Sequence, residues 1–229
     1  PGGLATAIRI KQLASQKGQD VSVVVLEKGS EPGAHILSGA VMDPKAMNEL
    51  IPHWKDMGCP LDQEVTGDEL LTLTETRASK VPAWLMPRNF HNDGCYVVSL
   101  SNVVKWMAAH AETLGVEIFP GFTAAEVLYN EDGSVKGVAT GHVGLGKDGE
   151  PTDNFQLGME LHAKYTIFAE GARGHLGKQV IAKYNLAEGR DPQSYAIGIK
   201  ELWEVDPSKA KPGLVVHTSG WPMQDDTFG

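Results

Sequence analysis

The sequence predicts an α/β fold, a parallel sheet of Rossmann-like type with a β-meander attached, and three stretches carry that expectation. Residues 1–28 read as a helix followed by a short apolar strand that ends on an acid. Residues 124–163 hold a hairpin with a glycine-containing turn and a third short strand, which together make a meander. Residues 165–184 read as strand, glycine turn and helix, repeating the geometry of the start of the chain.

In the first stretch Leu4, Ala7, Ile8, Ile10, Leu13 and Ala14 fall at helical spacing, and Lys17-Gly18 closes the run as a C-cap does. Val21 to Leu26 is a continuous, mostly β-branched apolar run, which suits a parallel strand buried on both faces. Glu27 sits at its C-terminal edge. This is the back half of a mononucleotide-binding βαβ unit: Gly2 and Gly3 let a helix N-terminus approach a pyrophosphate, and the carboxylate past the strand accepts a ribose hydroxyl. Simple close packing also explains a glycine pair before a helix. No apolar strand precedes Pro1 and no complete G-x-G-x-x-G is present, so we expect an excerpt that begins inside the motif.

The bulk composition excludes several classes. At 229 residues the chain is long enough to bury a core, and 41% hydrophobic with 21% charged residues is ordinary for a globular domain. A net charge of −9 argues against a nucleic-acid partner, which would require a basic stripe. Cys59 and Cys95 are too few and too far apart for a disulfide framework or an all-cysteine metal site, and we expect reduced, structural thiols. No apolar run reaches the roughly eighteen residues of a spanning helix, and no export signal is read.

The remaining elements follow in order. Gly33-Ala34-His35-Ile36-Leu37-Ser38-Gly39-Ala40 brackets His and Ser with glycines, which suits either a backbone passing close to a flat ligand or a plain loop. Asp43-Pro44 starts a short helix that runs to Trp54. Residues 58–95 are punctuated by Gly58, Pro60, Pro82, Pro87 and Gly94. Within them Val81-Pro82-Ala83-Trp84-Leu85-Met86-Pro87 sets large apolar groups where no regular element fits, as core cover or as an exposed patch. Tyr96 to Leu100 reads as a strand, and Ser101 caps a helix with Val103, Val104, Trp106, Met107, Ala111 and Leu114 on its apolar side, closed by Gly115. Val116 to Phe119 is a further strand. Ala124 to Tyr129 and Val135 to Thr140 form the hairpin, Gly141 to Asp153 a polar connector, and Met159 to Ala163 the third meander strand. Tyr165 to Glu170 reads as a strand running into Gly171-Ala172-Arg173-Gly174 and a helix through Tyr184. Arg173 there suits a phosphate or a reduced-ring charge, or is a solvated turn residue. Tyr195 to Leu202 and Leu214 to Thr218 open a new β region.

The combination resembles the glutathione-reductase-type FAD-binding superfamily. The wording of Glu27-Lys28, Gly33-Ala34-His35, Leu37-Ser38-Gly39-Ala40, Gly133-Ser134-Val135-Lys136-Gly137, Leu161-His162-Ala163-Lys164, Ile167-Phe168-Ala169-Glu170-Gly171, Gly198-Ile199-Lys200-Glu201-Leu202-Trp203 and Gly220-Trp221-Pro222 is closer still to the electron transfer flavoprotein–ubiquinone oxidoreductase family. That resemblance implies a monotopic, peripheral protein of the mitochondrial inner or bacterial cytoplasmic membrane. It would take electrons from electron transfer flavoprotein through FAD and a [4Fe–4S] cluster to ubiquinone. It implies a discontinuous FAD domain at 1–45 and 95–190, part of a quinone-binding α+β domain at 46–94 and 191–229, and truncation at both ends. By resemblance, cofactor contacts fall on Pro1, Gly2, Gly3, Glu27, Lys28, His35, Ser38, Gly39, Val127, Gly171 and Arg173. The quinone segment reaches Thr227-Phe228-Gly229, where Gly229 stands for the family's paired glycines. Cys59 and Cys95 do not match the cluster cysteines, whose place lies outside this chain, and no side chain need act as acid, base or nucleophile. The alternatives are another flavoprotein of the superfamily, geranylgeranyl-reductase-like or monooxygenase-like, or an inactive piece that does not hold FAD.

Overall fold

A computed structural model describes residues 1–36, 39–223, 227 and 229. Its elements are α1 (Gly2–Gln16), β1 (Val24–Glu27), β2 (Ala40–Met42), α2 (Lys45–Leu50), β3 (Gln63–Glu64), β4 (Gly67–Leu73), β5 (Ala78–Lys80), β6 (Tyr96–Val98) and α3 (Leu100–Thr113). Then come β7 (Glu117–Pro120), β8 (Ala124–Tyr129), β9 (Val135–Thr140), β10 (Val143–Leu145), β11 (Pro151–Gln156), β12 (Glu160–His162), α4 (His175–Lys183) and β13 (Leu214–Gly220). The chain divides into two compact units, Pro1–His35 with Met107–Gly198, and Ile36–Trp106 with Ile199–Gly229.

In the first unit α1 forms as its spacing requires. Leu4, Ala7, Ile8 and Ala14 are buried, and Gly18 takes the left-handed conformation (φ 61°) that ends the helix. β1 pairs in parallel with β7 from Val24–Glu117 to Glu27–Pro120. It is only half-buried rather than sealed on both faces, because β7 is its one hydrogen-bonded neighbour among the described residues. β8, β9 and β12 make the expected antiparallel meander. Gly137 in its centre is obligatory, since a Cβ there would sit 2.9 Å from the Leu161 carbonyl carbon of β12. The meander packs on α4 through Tyr129 against Tyr184, with Lys183 Nζ 4.2 Å from the Tyr129 ring centre.

The second unit holds two three-stranded sheets. β6 is flanked by β2 and β3, both antiparallel to it. β4 runs parallel to β13 along its whole length and antiparallel to β5. Beneath them Trp54, Cys59, Leu61, Tyr96, Val98, Val103 and Val104 are buried. Trp54 and Tyr96 meet edge-to-face at 5.7 Å, and their polar tips are satisfied by Asn48 and Glu64.

Four expectations need correction. Residues 165–170 run extended but form no strand, for want of a hydrogen-bonded neighbour among the described residues. The same reason leaves 195–202 without strand pairing, and Ile197 (97% exposed) and Leu202 (95%) stand in solvent. The polar connector 141–153 instead contains β10 and the first half of β11, an antiparallel pair turning through Gly146 to Glu150. The helix attributed to Ser101 begins one residue earlier, with the Ser99 carbonyl accepting from the Val103 N–H.

Candidate functional site

The first unit brings three of the sequence-singled segments together. α1 starts at Gly2 with no side-chain cap and no acid in its first turn, so its free N–H groups and positive dipole end are left for an external anion. Gly3 lies against the end of the extended segment 165–170. A Cβ built on Gly3 would be 3.2 Å from the Ala169 Cβ, tighter than ordinary contact. Glu27 closes β1, and its Oε1 accepts the Gly29 N–H at 2.7 Å. That turn is stapled beyond β7 by Phe122 N–H to the Glu27 carbonyl (3.1 Å) and Gly121 N–H to the Gly29 carbonyl (2.8 Å). Glu27 ends the strand on which α1 packs. Lys28 and His35 are exposed.

At the third segment Gly171 adopts φ 80° with open space around the position of a Cβ. Arg173 stacks its guanidinium 5.2 Å from the Tyr195 ring centre, a partner that the sequence alone does not single out. Glu170 has a role missed in the sequence: its two carboxylate oxygens accept the Leu176 and Gly177 N–H groups, each at 2.8 Å. It caps α4 with a charge, so α4 does not offer the second free N-terminus that strand, glycine turn and helix had suggested. The signal was an acid followed by two glycines at the mouth of a helix. Val127 is buried in the meander, where it pairs with Val138.

Of the remaining site residues, Gly39 and Gly229 belong to the second unit. Ser38 is outside the described residues. Gly39, in the second unit, has φ 75° and lies by Lys200, whose Nζ would be 3.8 Å from a Cβ there. Gly229 pairs with β13: its N–H donates to the Thr218 carbonyl at 3.0 Å, and its carbonyl accepts the Thr218 N–H. In the same unit a 3-10 turn, Ala83–Leu85, holds Trp84 83% exposed and Leu85 60% exposed while Met86 is buried beneath them. The patch reading therefore holds for two of these three residues and the core reading for the third.

Both cysteines are free. Burial, and then the Asp62 carboxylate, push the Cys59 thiol up to about 11, against an opposing backbone hydrogen bond at Leu61. Burial, then Asp43, Asp68 and Asp93, also raise Cys95. Iron binding needs thiolates, and among the described residues no group of three or more His, Cys, Asp or Glu is placed to hold a metal. The described residues therefore do not fit a cluster. At pH 8, iodoacetamide should label Cys59 in the folded chain at least about tenfold more slowly than a free thiol, the rate rising toward pH 11. Mass spectrometry of timed samples checks this, and rapid labelling at pH 8 would show that the thiol is accessible and ionised.

Residues 195–229 match the family model described as ETF-QO, ubiquinone-binding. Over 227 residues the chain is 60% identical to a probable electron transfer flavoprotein-ubiquinone oxidoreductase of Acinetobacter baylyi, covering 98% of this chain and 40% of that protein. It is 52% identical over 230 residues to the mitochondrial electron transfer flavoprotein-ubiquinone oxidoreductase of Mus musculus, covering 100% of this chain and 37% of that one. Over its whole length the chain is similar to these oxidoreductases. It spans about two fifths of the length of these relatives. Among solved structures, aklavinone-11 hydroxylase in complex with FAD and aklavinone matches 78% of this chain and 32% of its own, with TM-score 0.50 at 19% identity. A flavoprotein/dehydrogenase from Cytophaga hutchinsonii matches 94% and 46%, with TM-score 0.50 at 12% identity. These likenesses concern the fold alone, an α/β architecture shared with FAD-binding oxidoreductases.

Proposed function

We propose that this chain forms the FAD-binding region and part of the quinone-binding region of an electron transfer flavoprotein–ubiquinone oxidoreductase, in a fold of glutathione-reductase type. The observation that carries the reading is the cradle at α1: a helix start with no side-chain cap from Pro1, a glycine pressed against Ala169, and an acid at the end of the strand on which α1 packs. These residues fit FAD. The α1 N–H groups would hold its pyrophosphate, and the Glu27 oxygen not engaged by Gly29 would accept from its ribose. When bound, FAD supplies the electron relay between electron transfer flavoprotein and ubiquinone, and a [4Fe–4S] cluster would take its ligands from outside this chain.

The chain's own contribution is position and charge. Gly3 permits close approach, Gly171 and Arg173 present a backbone turn and a cation, and Lys28, His35 and Val127 complete the contacts proposed in the first unit. The unit of Ile36–Trp106 and Ile199–Gly229 takes the quinone side, with Gly229 at its edge. Trp84 and Leu85 would touch the surface of the inner membrane peripherally. No helix of the described residues is long and apolar enough to cross a membrane.

Titration of apo-protein with FAD tests the reading. Glu27→Ala should weaken binding by about 2 kcal/mol, the cost of leaving buried polar partners unpaired. An unchanged dissociation constant would reduce Glu27 to a surface residue past a strand.

A further inference from the structure

Glu170 is the internal anion of α4, and we infer that it is a positioning residue for the cofactor although it binds none of it. The inference rests on the FAD reading above. Of the two helix N-termini in the first unit, α1 has no side-chain cap, whereas α4 is filled by the chain's own carboxylate. Two oxygens on two N–H groups, both at 2.8 Å, leave Glu170 one orientation.

The turn between them is then determined from both sides. Gly174 lies so close that a Cβ there would be 2.8 Å from the Glu170 Cβ. Gly171 needs its positive φ, and Arg173 is laid on Tyr195. A four-residue turn with two glycines would otherwise sample many conformations, and each would have to be given up on binding. The Glu170 lock makes that loss before the cofactor arrives. It also neutralises the α4 dipole, so that α1 is the end left to attract a pyrophosphate.

FAD titration and amide exchange on the intact protein test this, with Glu170→Ala and Glu170→Gln. Glu170→Ala should weaken FAD about tenfold, the scale of a lost helix cap, and speed exchange at the Leu176 and Gly177 amides. Glu170→Gln keeps one acceptor oxygen and should fall between it and the unchanged protein. Added formate, small enough to occupy the vacated N-terminus, should restore part of the affinity to Glu170→Ala and none to the unchanged protein. Unaltered FAD affinity in Glu170→Ala would overturn the inference. So would a loss that neither formate nor the amide relieves, since Glu170 would then act by direct contact. If Glu170→Ala does not fold, Glu170→Gln with and without formate carries the same comparison. Failure of the unchanged protein to bind FAD would sink the functional reading instead, and the two amides still report whether the lock exists.

Discussion

Serine at both Trp84 and Leu85 in the intact protein is expected to lower liposome co-sedimentation by about 100-fold. The two side chains stand 83% and 60% exposed on a three-residue turn between Pro82 and Pro87, fixed from below by buried Met86. Moving one such side chain out of water is worth about 2 kcal/mol, and every 1.4 kcal/mol or so is tenfold in a partition constant. Two residues inserted in part at a bilayer surface thus account for about two decades. Exposed side chains contribute little to folding, so thermal stability should stay within about 0.5 kcal/mol of the unchanged protein. The apparent KM for a long-tailed quinone should rise, and reduction by electron transfer flavoprotein should be nearly intact. A destabilised protein that still binds liposomes would show that these groups serve the core instead.

What the sequence made legible follows from the range of the interactions. Helices α1, α3 and α4 and the β8–β9 hairpin are local structures, with period, caps and turn all within a few residues, and they form where expected. β4 was missed. Its Gly67-Asp68-Glu69 opening is poor in strand formers, and its partner β13 arrives more than a hundred residues later, joined by such contacts as Thr66 Oγ1 to the Pro212 carbonyl. Residues 165–170 and 195–202 failed in the opposite sense: their composition suits strands, but a strand needs a neighbour, and none pairs with them among the described residues.

The site divides in the same way. Gly3 and Gly171 were legible as backbone positions, the first because a Cβ there would fall 3.2 Å from the Ala169 Cβ and the second because its φ is 80°. The Glu170 carboxylate on α4 and the Tyr195 ring under Arg173 were not, because nothing local says where a flexible side chain will find its partner.

Gly3→Val is expected to cost about 3 kcal/mol of folding stability, at the upper end for overpacking a tight contact, and to abolish FAD retention on gel filtration. A Cβ at Gly3 already falls 3.2 Å from the Ala169 Cβ, and two further methyl groups have nowhere to go without moving the helix. The helix cannot move freely, because Leu4, Ala7 and Ile8 behind it are buried, Ile8 completely. Gly2 provides the contrast. A Cβ there meets nothing within 4 Å, so Gly2→Ala should leave stability unchanged or raise it by about 0.5 kcal/mol through helix propensity. Urea denaturation of the two variants without cofactor separates packing from ligand binding. If Gly3→Val unfolds at the same urea concentration as the unchanged protein, the contact of α1 with Ala169 accommodates a larger side chain. Gly3 would then be dispensable to the cradle, and the pyrophosphate would have to be held elsewhere.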